Sequence, residues 1–512
     1  MTSEVVWQLG PEMLVVVTAV FVYVAGAFAA PRASWSWVAL AGLGLAGGCL
    51  ATTTPLASAD PLLLDNLAVW TRWLALGLSV ILVLLSWRPT SDRDAPELVG
   101  SVLLVVAGMM LVSVSGELIL VFLGLELISI PTYILLFVGR RTIEGRESAA
   151  KYFYLSILAS AILLFGLCFL YGSAGSTSLG VIQARLGDAA NPLASAGRLA
   201  AVFLFAGLSF KIAAVPFHFY AADVYQGTSN SNAALLSVAP KLAGFIALIR
   251  LVLVATEGLP SHTWRIAMAL AVLTMTTGNV LALWQDNLRR LLAYSSIAHA
   301  GYMLIGLTVA LGTASGAPGA FDGTAALLFY LLVYSVATLG TFAALNCLGS
   351  SDQPLEHVDG LAGLAWSEVP RQRLLAWLIA AFMFSLAGIP PLAGFWGKLA
   401  LFGGALGVHG SGPGVREWFV GLAIIGVVNA AIAAAYYLRI VGAMFFRMPL
   451  GRVRSNAAGT GPLTAAVICG LLVLAIGVFP MPWYDSADQA VPENASQVVD
   501  NQAPPNALTP EP

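Results

Sequence analysis

The sequence predicts an all-α membrane protein of about 14 transmembrane helices, with two inverted five-helix repeats (helices 4–8 and 9–13) and broken helices 7 and 12. Three observations predict it. Of 512 residues, 59% are hydrophobic and only 10% are charged, a balance that no water-facing surface accepts. Apolar runs of roughly 20 residues, long enough to cross a bilayer as a helix, recur along nearly the whole chain. Basic residues gather on alternate connections between those runs, as membrane insertion requires.

Taken in order, the runs place helices at 11–30, 35–52, 63–86, 98–115, 117–138, 150–171, 196–219, 231–256, 262–284, 291–313, 325–348, 374–404, 417–446 and 462–481. They make one transmembrane domain over 1–484, with helices 1–3 in 1–97, a first repeat in 98–256, a second in 257–446 and helix 14 in 447–484. The polar, Pro-rich, acidic residues 485–512 read as a disordered tail, in which Asn494-Ala495-Ser496 matches a glycosylation triplet, a frequent chance match. Glu4 and Glu12, with no basic residue ahead of the first run, argue against a cleaved signal peptide. A five-helix unit followed directly by another enters the membrane from the opposite face, so the two repeats are inverted. Helices 7 and 12 then correspond, and each carries a lysine and a nearby proline, the signature of a broken helix beside an ion site.

With alternate connections assigned to opposite sides, one side receives Arg32, Arg88, Arg93, Arg140, Arg141, Arg146, Lys151, Arg289, Arg290, Arg371, Arg373, Arg447, Arg452 and Arg454. The other receives Arg185, Arg198, Arg265 and Arg416. The basic side is cytoplasmic. An even helix number then leaves both termini on the non-cytoplasmic side. Cys49, Cys168, Cys347 and Cys469 are scattered through apolar runs as small core residues, with no metal or cluster spacing. Neither dinucleotide-binding nor P-loop glycines are present, so any energy input comes from elsewhere.

The charges inside the membrane point to function. The chain has four lysines among its 24 basic residues, and Lys211, Lys241 and Lys398 fall inside predicted spans. Arginine does not release its proton in a protein, whereas a buried lysine does so readily; a proton carrier therefore needs lysine. Lys241 follows Pro240 near the middle of helix 8. Lys211 precedes Pro216 in GLSFKIAAVPFHFYAADVYQGTS (207–229), and Lys398 follows the prolines of SLAGIPPLAGFWGKL (385–399). Glu126, in LGLELISIPTYIL (123–135), is the clearest buried carboxylate and a natural partner for one of the lysines. His218 and His299 suit either a proton relay or a packing role. Arg72, Arg250 and Arg439 are read as structural, the latter two near enough to a helix end to snorkel. Glu117 suits the start of helix 5, and Asp223 lies beyond the Pro216 break.

At these residues the chain resembles the antiporter-like membrane subunits of respiratory complex I, most closely the N type of bacterial NADH:quinone oxidoreductase. The carriers, within roughly residues 100–450, are LGLELISIPTYIL, ESAAKYFYLSILASAILLFG (147–166), the K-x-x-x-x-P-F-H segment leading to ADVYQGTS, SVAPKLAGF, LLAYSSIAHAGYML and GIPPLAGFWGKL. The resemblance implies a Glu on helix 5 paired with a Lys on broken helix 7, a Lys on helix 8 and a terminal residue on broken helix 12. Matched motif by motif, these are Glu126, Lys211, Lys241 and Lys398. A lysine at the last place and a chain that stops soon after helix 14 favour the N type over its sisters. His218-Phe-Tyr-Ala-Ala-Asp223 departs from the Trp and Pro usual there.

The function so implied is proton translocation along a buried Glu/Lys/His/water path, driven by quinone reduction in partner subunits. The chain would be part of an enzyme, a proton-pumping translocase in the electron-transport chain, without doing redox chemistry itself. NADH, FMN, iron–sulfur clusters and quinone belong, by the same likeness, to the other membrane and peripheral subunits. The location expected is the cell's inner (plasma) membrane, with the lipid bilayer as solvent and no nucleic-acid partner. Two alternatives stand beside it: a subunit of a multisubunit cation/proton antiporter, and a structural scaffold whose buried charges only lock helices together.

Overall fold

The computed structural model describes residues 3–28, 32–53, 61–87, 94–140, 142–188, 191, 193–254, 263–313, 321–349, 355–408, 414–449 and 460–492. Their helices, in chain order, are α1 (Ser3–Gln8), α2 (Gly10–Gly26), α3 (Arg32–Thr52), α4 (Asn66–Leu85), α5 (Ala95–Ser113), α6 (Leu118–Gly139), α7 (Ile143–Ala174), α8 (Leu179–Gly187), α9 (Ala194–Ile212) and α10 (Tyr220–Gly227). There follow α11 (Asn230–Leu248), α12 (Thr263–Leu283), α13 (Leu288–Thr313), α14 (Gly323–Asn346), α15 (Pro370–Ala387), α16 (Ala393–Leu406), α17 (Val415–Phe446), α18 (Thr460–Val478) and α19 (Met481–Asp488). Pairing between extended segments is limited, among the described residues, to three isolated bridges. This is the arrangement hydrocarbon demands, because a helix satisfies its own backbone polar groups.

Eleven of the described helices are long and apolar enough to cross a membrane. The first apolar run, expected at 11–30, begins instead with α1 and continues as α2, so Glu12 lies inside a helix and is buried. The run at 196–219 ends as a helix at Ile212 and resumes as α10; the run at 374–404 stops at Ala387 and resumes at Ala393. Pro216 and the pair Pro390–Pro391 occupy the two gaps, each with a cis X-Pro bond. Proline lacks the N–H that would continue the helical ladder, which is the local reason for both breaks.

Burial follows a clear hierarchy. Every residue from Asn232 to Val252 is buried, which makes α11 and its π-helical extension Ile249–Val254 the axis of the molecule. α13 and α14 flank it, also nearly enclosed. α7 and α17 are peripheral: Leu158, Phe165, Ile424 and Val428 stand exposed on them, side chains that a hydrocarbon solvent accepts and water does not.

Two buried ion pairs tie the first helices to the axis. Glu12 of α2 receives a bidentate pair from Arg72 of α4, at 2.7 and 2.8 Å, and Arg72 also donates to the Gln8 carbonyl. Arg250 does not snorkel, contrary to the sequence expectation. It is 0% exposed, donates twice to Asp65 at 2.6 Å and once to the Ser113 carbonyl, and a carboxylate in reach removes the need to seek water. Arg439 of α17 bonds the carbonyls of Leu283 and Gln285 in the α12–α13 turn.

Other expectations meet the structure unevenly. Cys347 and Cys469 are buried, but Cys168 is exposed on the outer face of α7 and is not a core residue. Helix α19 carries four residues of the stretch read as tail, through Asp488. The rest of that stretch from 493 onward, including the Asn494 triplet, lies outside the described residues, as do Arg88, Arg93, Arg141, Arg452 and Arg454.

Candidate functional site

Four polar constellations lie inside the helix bundle between the first break and the second. The first joins α6, α7 and α9. On α6, Glu126 and Ser129 are three residues apart and share one face; on α7, Ser156 and Ser160 do the same at four. Lys211, in the last turn of α9, meets both faces: its Nζ donates to Ser129 Oγ at 2.7 Å and Ser156 Oγ at 3.4 Å. Glu126 Oε1 stands 3.7 Å from that ammonium and accepts from Ser160 Oγ at 2.5 Å. The ion pair is therefore loose, with serines taking the shorter bonds. The C-terminal end of α9 adds favourable dipole for a cation.

The second lies on α11. Pro240 removes one helical N–H, and the next residue, Lys241, reaches α13, where its Nζ donates to Ser296 Oγ. Ser296 also pairs with Tyr334 Oη of α14 at 2.7 Å, and Tyr334 in turn donates to the Ser237 carbonyl at 3.2 Å. Tyr225 of α10 lies 3.5 Å from the same serine. Three residues beyond Lys241, α11 passes α9 closely: a Cβ on Gly244 would meet Ile212 Cγ2 at 2.6 Å and Lys211 Cβ at 3.4 Å. The stem of Lys211 thus sits about one helical turn along α11 from Lys241.

The third is a histidine held by two phenols. His299 of α13 has Nδ1 at 2.7 Å from Tyr330 Oη and Nε2 at 2.8 Å from Tyr437 Oη; Tyr437 pairs also with Ser295. Neutral imidazole donates from one nitrogen and accepts at the other, so this geometry serves either tautomer.

The fourth is at the second break. Lys398 of α16 donates to the carbonyls of Leu386 and Ala387 at 2.9 Å each, acceptors that the end of α15 leaves without helical partners. Its ammonium lies 5.0 Å from the centre of the Tyr302 ring, whose hydroxyl accepts from Asn279 Nδ2 at 3.0 Å. Gly388 is required here. Its φ is +87°, and a Cβ on it would come within 2.9 Å of Lys398 Cδ. A small cavity lined by Ser296, Tyr334, Thr338 and Leu386 lies between the second and fourth constellations. The Thr338 hydroxyl is buried with no hydrogen-bond partner, which suits a bridging water.

Lys211, Lys241 and Lys398 are exposed by 4%, 1% and 5%, so none snorkels. His218 does not join them: it sits half-buried in the first break, with its Nδ1 unpartnered. Asp223 belongs to a rim cluster, 2.9 Å from Lys151 and 2.6 Å from Arg290, while Glu356 nearby receives Arg289 and Arg140. Glu117 precedes α6 without capping it through its side chain. The hydroxyl groups that connect the ionisable ones, Ser129, Ser156, Ser160, Ser296, Tyr330, Tyr334 and Tyr437, carry no charge and so do not stand out in the sequence. The available signals were polar residues at helical spacing from Glu126 and the serine pair preceding His299 by three and four residues.

Residues 115–432 match the family described as NADH:quinone oxidoreductase/Mrp antiporter, transmembrane. The chain is 39% identical over 420 residues to the NADH-quinone oxidoreductase subunit N of Trichlorobacter lovleyi, covering 80% of this chain and 81% of that protein. With the subunit N of Rubrobacter xylanophilus it shares 34% identity over 494 residues, 94% of this chain and 97% of the relative. Among solved structures, a chain of respiratory complex I from Thermus thermophilus with bound aureothin superposes with a TM-score of 0.75 at 32% identity, covering 93% and 98% of the two chains. A chain of the Mrp complex from Dietzia sp. gives 0.80 at 22% identity over 98% and 99%, a likeness of fold alone.

Proposed function

We propose, from the premise that the chain belongs to the NADH:quinone oxidoreductase/Mrp antiporter family and, within it, to the subunit N proteins, that it is the proton-translocating membrane subunit of an NADH:quinone oxidoreductase. Its partners would be the other membrane and peripheral subunits, and NADH, FMN, iron–sulfur clusters and quinone would reside in them. A proton reaches Lys211 from the cytoplasm through the break between α9 and α10, passes to Lys241 and leaves by way of Lys398. Glu126 alternately holds and releases Lys211. Ser296, Tyr334, Tyr437 and His299 carry the proton across the middle stretch, with water in the gaps. His218 stands at the mouth of the first break, where uptake begins. Quinone reduction in a neighbouring subunit shifts the electrostatics along this line and so changes the Glu126–Lys211 pairing.

One observation carries the reading: three lysines enclosed by the protein, each bonded to an oxygen acceptor, two of them to serine hydroxyls, of which Ser296 continues to Tyr334. A scaffold would be served as well by arginine, which cannot release its proton. Relatives sharing a third or more of their sequence bear the subunit N name, which favours this reading over an antiporter subunit, where the likeness is of fold.

The same reading takes α2, the α9–α10 pair and the α15–α16 pair as the three crossings that bring the eleven long helices to fourteen. The two broken pairs then hold the fourth place in inverted units α5–α11 and α12–α17. The location is the cell's inner membrane, with both termini on the non-cytoplasmic side. The test is Lys211→Ala in the reconstituted complex. Quinone-linked proton pumping should nearly vanish, and full pumping by the variant would defeat the assignment. Co-purification of other antiporter subunits in place of redox subunits would favour the antiporter reading.

A further inference from the structure

The rim cluster around Asp223, which the proton path leaves unused, ties down the helix that covers that path. α10 has only 8 residues, too few to persist as a helix without its neighbours. Its inner face lies over two of the lysine constellations. Tyr220 is stacked on Phe210, with 4.4 Å between ring centres, and donates to the Phe210 carbonyl at 2.9 Å, next to Lys211. Tyr225 stands 3.5 Å from Ser296, the acceptor of Lys241. Among the described residues, the polar contacts of these two phenols are thus one hydrogen bond and one contact at the limit of hydrogen bonding, which hold α10 weakly.

The stronger bonds lie at the rim. Asp223 accepts from Arg290 of α13 at 2.6 Å and from Lys151 of α7 at 2.9 Å. Three residues on, Gln226 accepts from the same Arg290 through its side chain at 2.9 Å, and from Arg140, just past α6, through its carbonyl at 3.3 Å. Arg140 also meets Glu356 at 3.1 Å, and Glu356 receives Arg289, the chain neighbour of Arg290, at 2.8 Å. The bonds close on themselves, from Asp223 through Arg290, Arg289, Glu356 and Arg140 back to Gln226. They join α6 and α10 to α13 and to the segment ahead of α15. Asp223, Arg290, Arg140 and Glu356 have side chains 26–38% exposed, so water and salt reach the ring and each pair contributes little alone. A ring of individually weak bonds releases a short helix readily, as a gate that opens in every turnover requires.

We propose that α10 is a gate over Ser296 and the Lys211 turn, and that Asp223 is the positioning residue that holds it shut through this ring. The proposal rests on the reading of proton uptake through the break between α9 and α10. With the ring closed, α10 seals that side; with the ring parted, water from the rim reaches Ser296 and Lys241. Asp223 itself carries no proton in this scheme.

The probe is a charged, membrane-impermeant methanethiosulfonate, added to vesicles that hold the whole complex with the Lys151 face outward. Its target is Ala221→Cys, the parent for every comparison, and the labelled peptide is quantified by mass spectrometry. Ala221 is buried and lies one turn before Tyr225 on the inner face of α10. Ala465→Cys, buried in the first turns of α18, is the control. Labelling at 221 should quicken about tenfold in Asp223→Asn and in Arg290→Gln, equivalent to about 1.4 kcal/mol, and little further when the two are combined. Asp223→Glu, which keeps the charge, should label close to the parent rate. Raising salt from about 0.1 M to about 1 M, which shortens screening from about 10 Å to about 3 Å, should speed labelling of the parent but not of Asp223→Asn. Should neither ring variant assemble, the salt response of the parent decides. Labelling unchanged in both variants, or independent of salt in the parent, would overturn the gate. So would equal acceleration at 465, which would make the ring a general support of the fold. These readouts do not involve pumping, so full pumping by Lys211→Ala would defeat the proton path and leave the test of the gate standing.

Discussion

Ser296→Ala tests whether the hydroxyl relay conducts. Ser296 Oγ accepts the Lys241 ammonium and pairs with Tyr334 Oη at 2.7 Å, in a setting where both partners are 1% exposed. Alanine removes a hydrogen bond to a charged group, worth about 1.5–3 kcal/mol, and leaves a buried ammonium with one acceptor fewer. If transfer through Lys241 limits pumping, each 1.36 kcal/mol added to that step slows it about tenfold, so pumping should fall by about 10- to 100-fold. The assay is a reconstituted complex in sealed vesicles, with proton uptake followed by a pH dye and quinone reduction measured separately after an uncoupler is added. Pumping should collapse while the uncoupled redox rate stays near normal, and Ser296→Thr, which restores the hydroxyl, should recover most of it. Normal pumping by Ser296→Ala, in a preparation where Lys241→Ala abolishes it, would refute the relay.

Further expectations follow from neighbouring features. Asp65→Ala leaves the fully buried Arg250 with only the Ser113 carbonyl, and an uncompensated buried charge costs about 3–5 kcal/mol; the thermal midpoint of the detergent-solubilised complex should drop clearly, and an unchanged midpoint would show the pair to be dispensable. Gly388→Ala puts a Cβ at φ +87°, within 2.9 Å of Lys398 Cδ, and should lower pumping several-fold with the complex still assembled; normal pumping would mean that the position of Lys398 is not critical. On α19, burial first and then the charges of Asp322 and Asp485 raise the Asp488 carboxyl above its ordinary value of 3.8. A raised carboxyl stabilises docking below that ordinary value, and the contribution is lost as pH climbs through the raised one. Asp488→Asn should therefore hold α19 more firmly than the parent at neutral pH and match it below about 3.8, as read from Trp483 fluorescence; equal behaviour at every pH would refute the argument.

From residue order alone the solvent and the candidate ionisable groups are legible. A run of some twenty apolar residues has one stable fate in lipid, whatever its neighbours, so most helices were legible to within a few residues. The breaks were legible for an equally local reason, because proline removes a donor wherever it stands. Lys211, Lys241, Lys398 and Glu126 were conspicuous because an ionisable group within such a run is expensive. Tertiary structure decided what those groups touch. Lys211 lies 82 residues from Ser129, and Lys241 lies 55 from Ser296, and no periodicity within one helix reports which distant hydroxyl will face an ammonium. For the same reason Arg250 was misjudged as snorkelling, since only the fold brings Asp65 to it across 185 residues. Cys168 was misplaced because hydropathy does not tell a core-facing side chain from a lipid-facing one. Each of these is a choice of partner, and a partner far along the chain is fixed by the packing of whole helices, which local propensity does not encode.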